Sequence, residues 1–233
     1  MKIKTNKVYR SLVNNQHKII AHQGGTRSGK TYNILLWIIF DYCARNEGKT
    51  ITICRKTFPS LRATVMRDFL DILKTHNIYS EADHNKSNSE YNLKNNLVEF
   101  ISLDIPQKVR GRKRQLLYIN EANEIIKEDW NQLIFRTEEQ VILDYNPSDE
   151  YHFIYDDILT RKDCDFYITT YKDNPFLDPK IKTEIERLKE TDETYWQIYG
   201  LGQKGISKAT IFNFSESKIP DSAQFLSYGM DFG

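Results

Sequence analysis

The sequence predicts an α/β fold in which helices flank a mostly parallel β-sheet. Short apolar segments typical of β-strands recur along the 233 residues, and segments with helical periodicity separate them. The predicted strands cover residues 18–22, 50–54, 116–119, 141–144 and 166–170. A second observation favours the same fold: a glycine-rich segment joins the first strand to an apolar helix, as it does in many parallel α/β proteins.

The predicted helices lie between these strands and continue after the last of them. They cover residues 30–45, 61–76, 179–188 and 193–199. Asp178 and Pro179 suit the N-cap and the first position of the third helix, and Gly200 suits the end of the fourth.

A polar, Asn-rich segment follows the second helix. Two short apolar stretches flank a Lys-Asn-Asn turn within residues 91–101, and this pattern predicts a β-hairpin inserted beside the main sheet. From residue 205 onwards the sequence becomes irregular and polar, which is typical of a connecting segment.

The composition is that of a globular chain with almost balanced charge. The sequence has 33 Lys and Arg against 32 Asp and Glu, a net charge of +1, and 39% hydrophobic residues. These values exclude a disordered chain and a polycation that coats nucleic acid. The longest strongly apolar run, residues 34–40, is too short to cross a membrane, so we expect no membrane association.

The glycine-rich segment predicts a nucleotide site. Residues 24–31 read GGTRSGKT and match the pattern G-x-x-x-x-G-K-[ST] between a strand and a helix. In such a loop the backbone N–H groups surround phosphates, the Lys neutralises the β- and γ-phosphates, and the Thr hydroxyl binds Mg²⁺. The expected ligand is ATP with Mg²⁺. The predicted binding residues are Gly24, Gly25, Thr26, Arg27, Ser28, Gly29, Lys30 and Thr31.

Two polar residues, Asn120 and Glu121, end the third predicted strand. ATP hydrolysis needs a base that orients and polarises the attacking water, and Glu121 is the candidate for that role. Asn120 stands where an Asp usually ends such a strand. It retains an acceptor oxygen for a metal-bound water but lacks the charge; a turn-forming Asn is the alternative interpretation.

The fourth predicted strand runs into the sequence Asp-Tyr-Asn-Pro. The right-handed crossover rule, together with the Glu after the third strand, favours an arrangement in which this strand lies between the other two. Its end then faces the γ-phosphate, and Asn146 is a candidate sensor of the phosphate state. Turn formation before Pro147 is the alternative.

A basic cluster precedes the Glu-bearing strand. Its cations are Lys108, Arg110, Arg112, Lys113 and Arg114. A loop of this charge on the nucleotide side of the sheet could bind DNA phosphates or insert an arginine into a neighbouring subunit's ATP site, and a solvated loop is the alternative. A second basic stretch, residues 55–62, strengthens the nucleic-acid interpretation because it is expected at the same edge.

These motifs together resemble the large terminase subunits of tailed bacteriophages, the ATP-driven motors that package DNA into procapsids. The likeness covers nearly the whole chain. The segments that carry it are GGTRSGKT (24–31), RKTFPSLR (55–62), KVRG (108–111), YINEANE (118–124), DYNPS (144–148), TYKDNPFL (170–177) and YGLGQKG (199–205). The phosphate loop alone is shared by many ATPases, whereas its combination with the two Asn-Pro segments is much narrower.

The resemblance implies a P-loop NTPase of the additional-strand, catalytic-glutamate (RecA-like) class with a small helical lid subdomain. It divides the chain into an ATPase core (1–172), a helical lid (173–205), a linker (206–226) and the first strand of an RNase H-like nuclease domain (227–233). Asp231 in that strand matches a nuclease metal ligand that would act only in a full-length protein.

The resemblance also implies roles and partners. Lys30 and Thr31 bind ATP and Mg²⁺, Glu121 activates water, Asn146 couples hydrolysis to movement, and Arg27 contacts the γ-phosphate. The implied partners are double-stranded DNA, the portal protein of the procapsid, the small terminase subunit and further copies of the chain in a ring, with a monomer in isolation. The implied location is the host bacterial cytoplasm.

Other functions remain open from the residues alone. A P-loop phosphotransferase, a non-packaging nucleic-acid ATPase or helicase, and a nucleotide-binding assembly module each accommodate the phosphate loop. The Glu after the third strand favours water over another phosphate acceptor, and thus an ATPase.

Overall fold

The computed structural model describes residues 3–104, 113–149 and 151–204, and within them a single eight-stranded sheet forms the centre. The strands, in chain order, are β1 (Ile19–Gly24), β2 (Thr50–Arg55), β3 (His84–Asn85), β4 (Glu90–Leu93), β5 (Asn96–Ser102), β6 (Arg114–Asn120), β7 (Thr137–Tyr145) and β8 (Cys164–Thr169). Their spatial order is β3-β4-β5-β2-β6-β7-β1-β8. The six strands from β5 to β8 in this order are parallel, so their carboxyl ends meet at one edge. The predicted position of β7, between β1 and β6, is confirmed.

The helices cover both faces of this sheet. They are α1 (Lys7–Leu12), α2 (Lys30–Trp37), α3 (Cys43–Arg45), α4 (Phe58–Leu61), α5 (Arg67–Thr75), α6 (Lys127–Ile134), α7 (Pro179–Thr191) and α8 (Glu193–Tyr195). A π-helical turn, Ile38–Tyr42, joins α2 to α3, and another, Arg62–Met66, joins α4 to α5. The first two predicted helices are therefore present, each with a π-helical turn inside it. The third begins at Pro179 as predicted, with Asp178 accepting a hydrogen bond from the Lys180 amide.

The predicted hairpin consists of β4 and β5, joined by a turn in which Lys94 and Asn95 have positive φ. The prediction that it stands beside the main sheet is wrong. β5 pairs in parallel with β2 over six residue pairs, so it is a member of that sheet. The physical reason is burial: Val98 and Phe100 are buried in the core on one face of the strand and Ile101 in the core on the other, as in interior strands of parallel sheets.

Two apolar cores lie on opposite faces of the sheet. Successive residues of a strand point to opposite faces, so Ile20 joins the core under α1, α2 and α5, whereas Ile19 and Ala21 join the core under α6. Asn96 ties the hairpin to the helix layer, since its buried amide donates to the carbonyl oxygen of Asn46 at 2.7 Å and its Oδ1 accepts from the Lys49 amide at 3.0 Å. In the part of the chain that the structure describes, no helix is long and apolar enough to cross a membrane.

The basic cluster is only partly visible in this fold. Lys108, Arg110 and Arg112 lie outside the described residues. Arg114 begins β6, six residue steps of about 3.3 Å, or about 20 Å, from the carboxyl end of that strand. Its side chain is fully buried, so the expectation that Arg114 faces DNA or a neighbouring subunit on the nucleotide side is wrong. The adjacent Lys113 is exposed.

Candidate functional site

The phosphate loop connects the end of β1 to the start of α2. Gly29 precedes α2 with φ of +81°, a left-handed conformation that favours glycine. Arg27, at the exposed tip, is also left-handed, with φ of +59°. The chain after α8 leaves no room for a side chain at Gly25, because a Cβ there would lie 2.3 Å from the carbonyl oxygen of Tyr199. The glycines predicted from the motif thus serve a turn and a close backbone approach.

Lys30 points back into this loop. Its Nζ donates to the carbonyl oxygens of Gly24 at 2.8 Å and Gly25 at 3.0 Å. It also donates to Oδ1 of Asn146 at 3.0 Å, which brings the predicted sensor into contact with the predicted phosphate-binding lysine. Burial lowers the pKa of Lys30, and the charges of Asp144 and Glu121 oppose that shift. The ammonium group lies where an incoming phosphate could replace the loop carbonyls as its partner.

The Thr31 hydroxyl meets a carboxylate that the sequence reasoning did not assign to the site. Thr31 Oγ1 donates to Asp144 Oδ2 at 2.9 Å, and Asn120 Nδ2 lies 3.3 Å from the same hydroxyl. Asp144 is the next-to-last residue of β7 and is paired in register with Asn120. The signal was present in the sequence, since an Asp ends the strand predicted to lie between the other two.

These oxygen donors are of the kind that Mg²⁺ prefers. The described residues contain no group of three or more His, Cys, Asp or Glu side chains that could hold a metal by themselves. The Thr31 hydroxyl, with Asp144 and Asn120 behind it, fits an ion whose other ligands are phosphate oxygens and water.

Glu121 follows β6 with a left-handed backbone, φ +53° and ψ +58°, which is uncommon for a residue with a side chain. Its N–H donates to Asp144 Oδ1 at 3.3 Å. Burial, then the charge of Asp144, raises the pKa of Glu121 to about 7, although Lys30 and Arg55 oppose the shift. A carboxylate poised near neutral pH can accept a proton from water, so the geometry suits the predicted base.

Arg55 is a site residue to which the sequence assigns another role. The basic stretch 55–62, expected at this edge, predicts contact with nucleic acid, yet the Nε and Nη2 of Arg55 donate to both carboxylate oxygens of Glu124, at 3.0 and 2.7 Å. The neighbouring Lys56 pairs with Asp129 at 2.9 Å. Arg55 lines the same cavity as Glu121 and lowers the pKa of that carboxyl group, so its charge acts on the candidate base.

A cavity of about 550 Å³ lies at this edge of the sheet, in the size range of small-molecule sites. The phosphate loop forms one wall. The side chains that complete it from other elements include Arg55, Asn120, Glu121, Asp144, Asn146 and Asn174. The predicted nucleotide residues from residues 25–31, together with Asn120, Glu121 and Asn146, therefore converge on one cavity.

The chain after β8 closes over the loop. The Thr26 amide donates to the Tyr199 carbonyl at 2.7 Å, and Asn174 Nδ2 donates to the Arg27 carbonyl at 2.8 Å. Gln23, the residue before the loop, donates to the carbonyl of Gly202 at 2.8 Å. A displacement of the chain after β8 would therefore break or strain hydrogen bonds to the backbone of the phosphate loop.

The described structure does not bring the predicted residues of the basic cluster, or Asp231, to this cavity. Lys113 is exposed near the start of β6, away from the cavity edge, and Asp231 lies outside the described residues.

Comparison with known proteins identifies relatives of this architecture. The family model described as phage terminase large subunit matches residues 15–203. The large terminase from a thermophilic bacteriophage matches with a TM-score of 0.74 at 19% identity, over 87% of this chain and 54% of that chain. Its complex with ADP matches with a TM-score of 0.70 at 18% identity, over 85% and 53% of the two chains. None of the curated proteins matches this chain.

An isolated domain is covered more completely. The Thermus phage P74-26 large terminase ATPase domain matches with a TM-score of 0.65 at 14% identity, over 86% of this chain and 94% of that chain. The chain thus spans about half the length of the large terminase first compared and nearly all of the ATPase domain. The predicted fold class, a RecA-like P-loop fold with a mostly parallel sheet flanked by helices, is confirmed.

Proposed function

This chain belongs to the phage terminase large subunit family, and from that premise we propose that it hydrolyses ATP to move double-stranded DNA into a procapsid. The observation that carries the proposal is the meeting of Glu121 with Lys30 and Thr31 in one cavity, with burial raising the pKa of Glu121 to about 7. A phosphate-binding lysine, a metal-binding hydroxyl and a poised base are the parts that ATP hydrolysis requires.

The positions of the residues support the following roles. Lys30 exchanges its loop carbonyl partners for the β- and γ-phosphates, and the loop N–H groups bind the same phosphates. Thr31 would hold Mg²⁺, which neutralises phosphate charge when bound. Glu121 orients a water in line with the γ-phosphate and accepts its proton. When a phosphate replaces Asn146 as a partner of Lys30, Asn146 loses that hydrogen bond. This loss would couple the state of the bound nucleotide to the position of β7.

An arginine stabilises the charge that develops on the γ-phosphate. Arg27 is the candidate within the chain, since it is exposed at the tip of the loop beside the cavity. Lys108, Arg110, Arg112 and Lys113 remain candidates for DNA contact or for insertion into a neighbouring subunit's site. Burial removes Arg114 from this set.

The proposed division of the chain is an ATPase core over 1–172, a helical lid over 173–205, a linker over 206–226 and a nuclease strand over 227–233. The hydrogen bonds from Thr26 to Tyr199 and from Asn174 to Arg27 support the idea that the lid reports on the phosphate loop. The proposed partners are DNA, the portal protein, the small terminase subunit and further copies in a ring, in the host bacterial cytoplasm. In the full-length protein Asp231 would contribute to a nuclease metal site.

Phosphate release in isotopically labelled water tests the catalytic part of this proposal. We expect the isolated domain to release phosphate that carries one labelled oxygen, and Glu121→Gln to lose this activity while it still binds nucleotide. Glu128→Gln, an exposed Glu at the start of α6, is the matched control and should retain full activity. Transfer of the phosphoryl group to an organic acceptor without label would instead favour the phosphotransferase.

A second measurement tests the use of the energy. Arg112→Ala combined with Lys113→Ala should weaken DNA binding uniformly across sequences and reduce its salt dependence by about two counterions. If DNA-stimulated ATPase in the docked assembly were unchanged by this pair, the basic segment would have no part in the motor.

A further inference from the structure

We propose that Asp144, at the end of β7, is the carboxylate that positions the Thr31 hydroxyl for the magnesium–nucleotide complex, in place of an acid at the end of β6. This inference rests on the proposed ATPase function and adds a positioning residue to it. The end of β6 carries Asn120, whose amide is neutral and cannot supply a charge behind the metal-binding hydroxyl.

The geometry of Asp144 fits this role closely. Its Oδ2 accepts from Thr31 Oγ1 at 2.9 Å, so one oxygen is committed to the hydroxyl that would hold the metal. Its Oδ1 accepts from the Asn120 amide at 3.0 Å and from the Tyr118 hydroxyl at 3.1 Å. The Glu121 N–H donates to the same oxygen at 3.3 Å. The side chain is 1% exposed, so donors from α2, β6 and the segment after it fix both oxygens of the carboxylate without competition from solvent.

Strand order explains how the acid can change strands without leaving the site. β7 lies between β6 and β1, and Asp144 is level with Asn120 on one side and with His22 on the other. Neighbouring strands are about 4.8 Å apart, so an acid on β7 is one strand spacing nearer to the strand that leads into the phosphate loop. Asn120 contacts both Asp144 and Thr31, and therefore orients the carboxylate that replaces it.

The position also has a consequence for the end of β7. Asp144 contacts Thr31, and Asn146, two residues further on, contacts Lys30. One strand end thus touches both loop side chains that would hold the metal and the phosphates. A change in either ligand would act on the same short segment of backbone.

Exchange of the two side chains tests this inference. Calorimetry would measure the affinity for ADP with Mg²⁺ and with EDTA, in the native chain, in Asp144→Asn and in the double variant Asn120→Asp/Asp144→Asn. The gain in ADP affinity on adding Mg²⁺ should be about tenfold smaller in Asp144→Asn than in the native chain, which is the effect expected for loss of a charge-assisted hydrogen bond. The affinity in EDTA should change little. The double variant returns a carboxylate to the level of the hydroxyl and should recover much of the gain.

Controls separate positioning from folding. Glu128→Gln removes an exposed carboxylate at the start of α6 that does not line the cavity, so its Mg²⁺ dependence should equal that of the native chain. The double variant conserves the number of buried carboxylates, which guards against failure of the single variant to fold. Retention of the full Mg²⁺ effect in Asp144→Asn would overturn the inference, as would a folded double variant that recovers none of it. Absence of ADP binding in the native chain would overturn the proposed function as well, whereas binding unaffected by these exchanges would contradict only the role of Asp144.

Discussion

The charge state of Glu121 predicts a steep pH dependence of ATP hydrolysis near neutrality. An exposed glutamate has a pKa of 4.5 and would be ionised throughout the physiological range, so its rate profile would be flat. Burial and the Asp144 carboxylate raise the pKa of Glu121 to about 7. Because only the ionised form accepts a proton from water, the rate should rise with pH through that value.

The magnitude follows directly from that pKa. With a pKa of about 7, the ionised fraction is about one-tenth at pH 6, one-half at pH 7 and nine-tenths at pH 8. The hydrolysis step should therefore accelerate about tenfold between pH 6 and pH 8. Acid-quenched single-turnover hydrolysis, with the protein in excess over ATP, is the suitable assay, because it measures ADP formation before the products leave the site.

Arg55 offers a matched perturbation of the same profile. Its positive charge lowers the pKa of Glu121, so Arg55→Gln should move the midpoint of the profile to higher pH. The loss of Arg55 also leaves the charge of Glu124 without its partner, and Glu124 acts in the same direction. A single-turnover rate that is constant between pH 6 and pH 8, or a midpoint that does not respond to Arg55→Gln, would refute the assignment of Glu121 as the base.

Two further predictions concern structure near and away from the site. Gly25→Ala places a Cβ 2.3 Å from the carbonyl oxygen of Tyr199, so it should displace the segment after α8. We expect the free energy of unfolding, measured by urea denaturation, to fall by about 1–3 kcal/mol. An unchanged urea midpoint of unfolding would argue against this contact. Asn96→Ala removes the buried side-chain amide that bonds to Asn46 and Lys49, and should lower the free energy of unfolding by about 2 kcal/mol in the same measurement. The KM for ATP should stay unchanged, because Asn96 does not line the cavity. A change in KM without loss of stability would contradict this prediction.

Much of the fold could be predicted because its signals are local. The phosphate loop, five strands of the parallel sheet and the Pro179 helix start each depend on a short pattern of apolar, glycine or capping residues. The position of β7 followed from the handedness of crossovers, a general rule of parallel sheets, together with the Glu that follows the third predicted strand. The membership of β5 in the sheet could not be predicted, because it depends on which distant strand, here β2, covers its edge.

The site divides in the same way. The phosphate-loop motif alone identifies Lys30 and Thr31 as candidate site residues. The position directly after the third predicted strand identifies Glu121 as the candidate base. The pattern also grouped Arg55 with DNA-binding cations and Arg114 with an exposed loop, because charge can be read from sequence while burial and ion pairing cannot. The contact of Arg55 with Glu124 joins residues that are 69 positions apart.

The sequence by itself therefore determined the phosphate-loop motif, the candidate base and the family likeness, since each is written in contiguous residues whose chemistry does not depend on distant neighbours. Only the tertiary structure decided which carboxylate stands behind Thr31. The sequence offered Asn120 at the end of one strand and Asp144 at the end of another, and the register of β6 and β7 brings both to the same hydroxyl. Hydrogen bonds act over about 3 Å, so the role of a side chain depends on which groups lie beside it in the fold, and these cannot be read from its position in the chain.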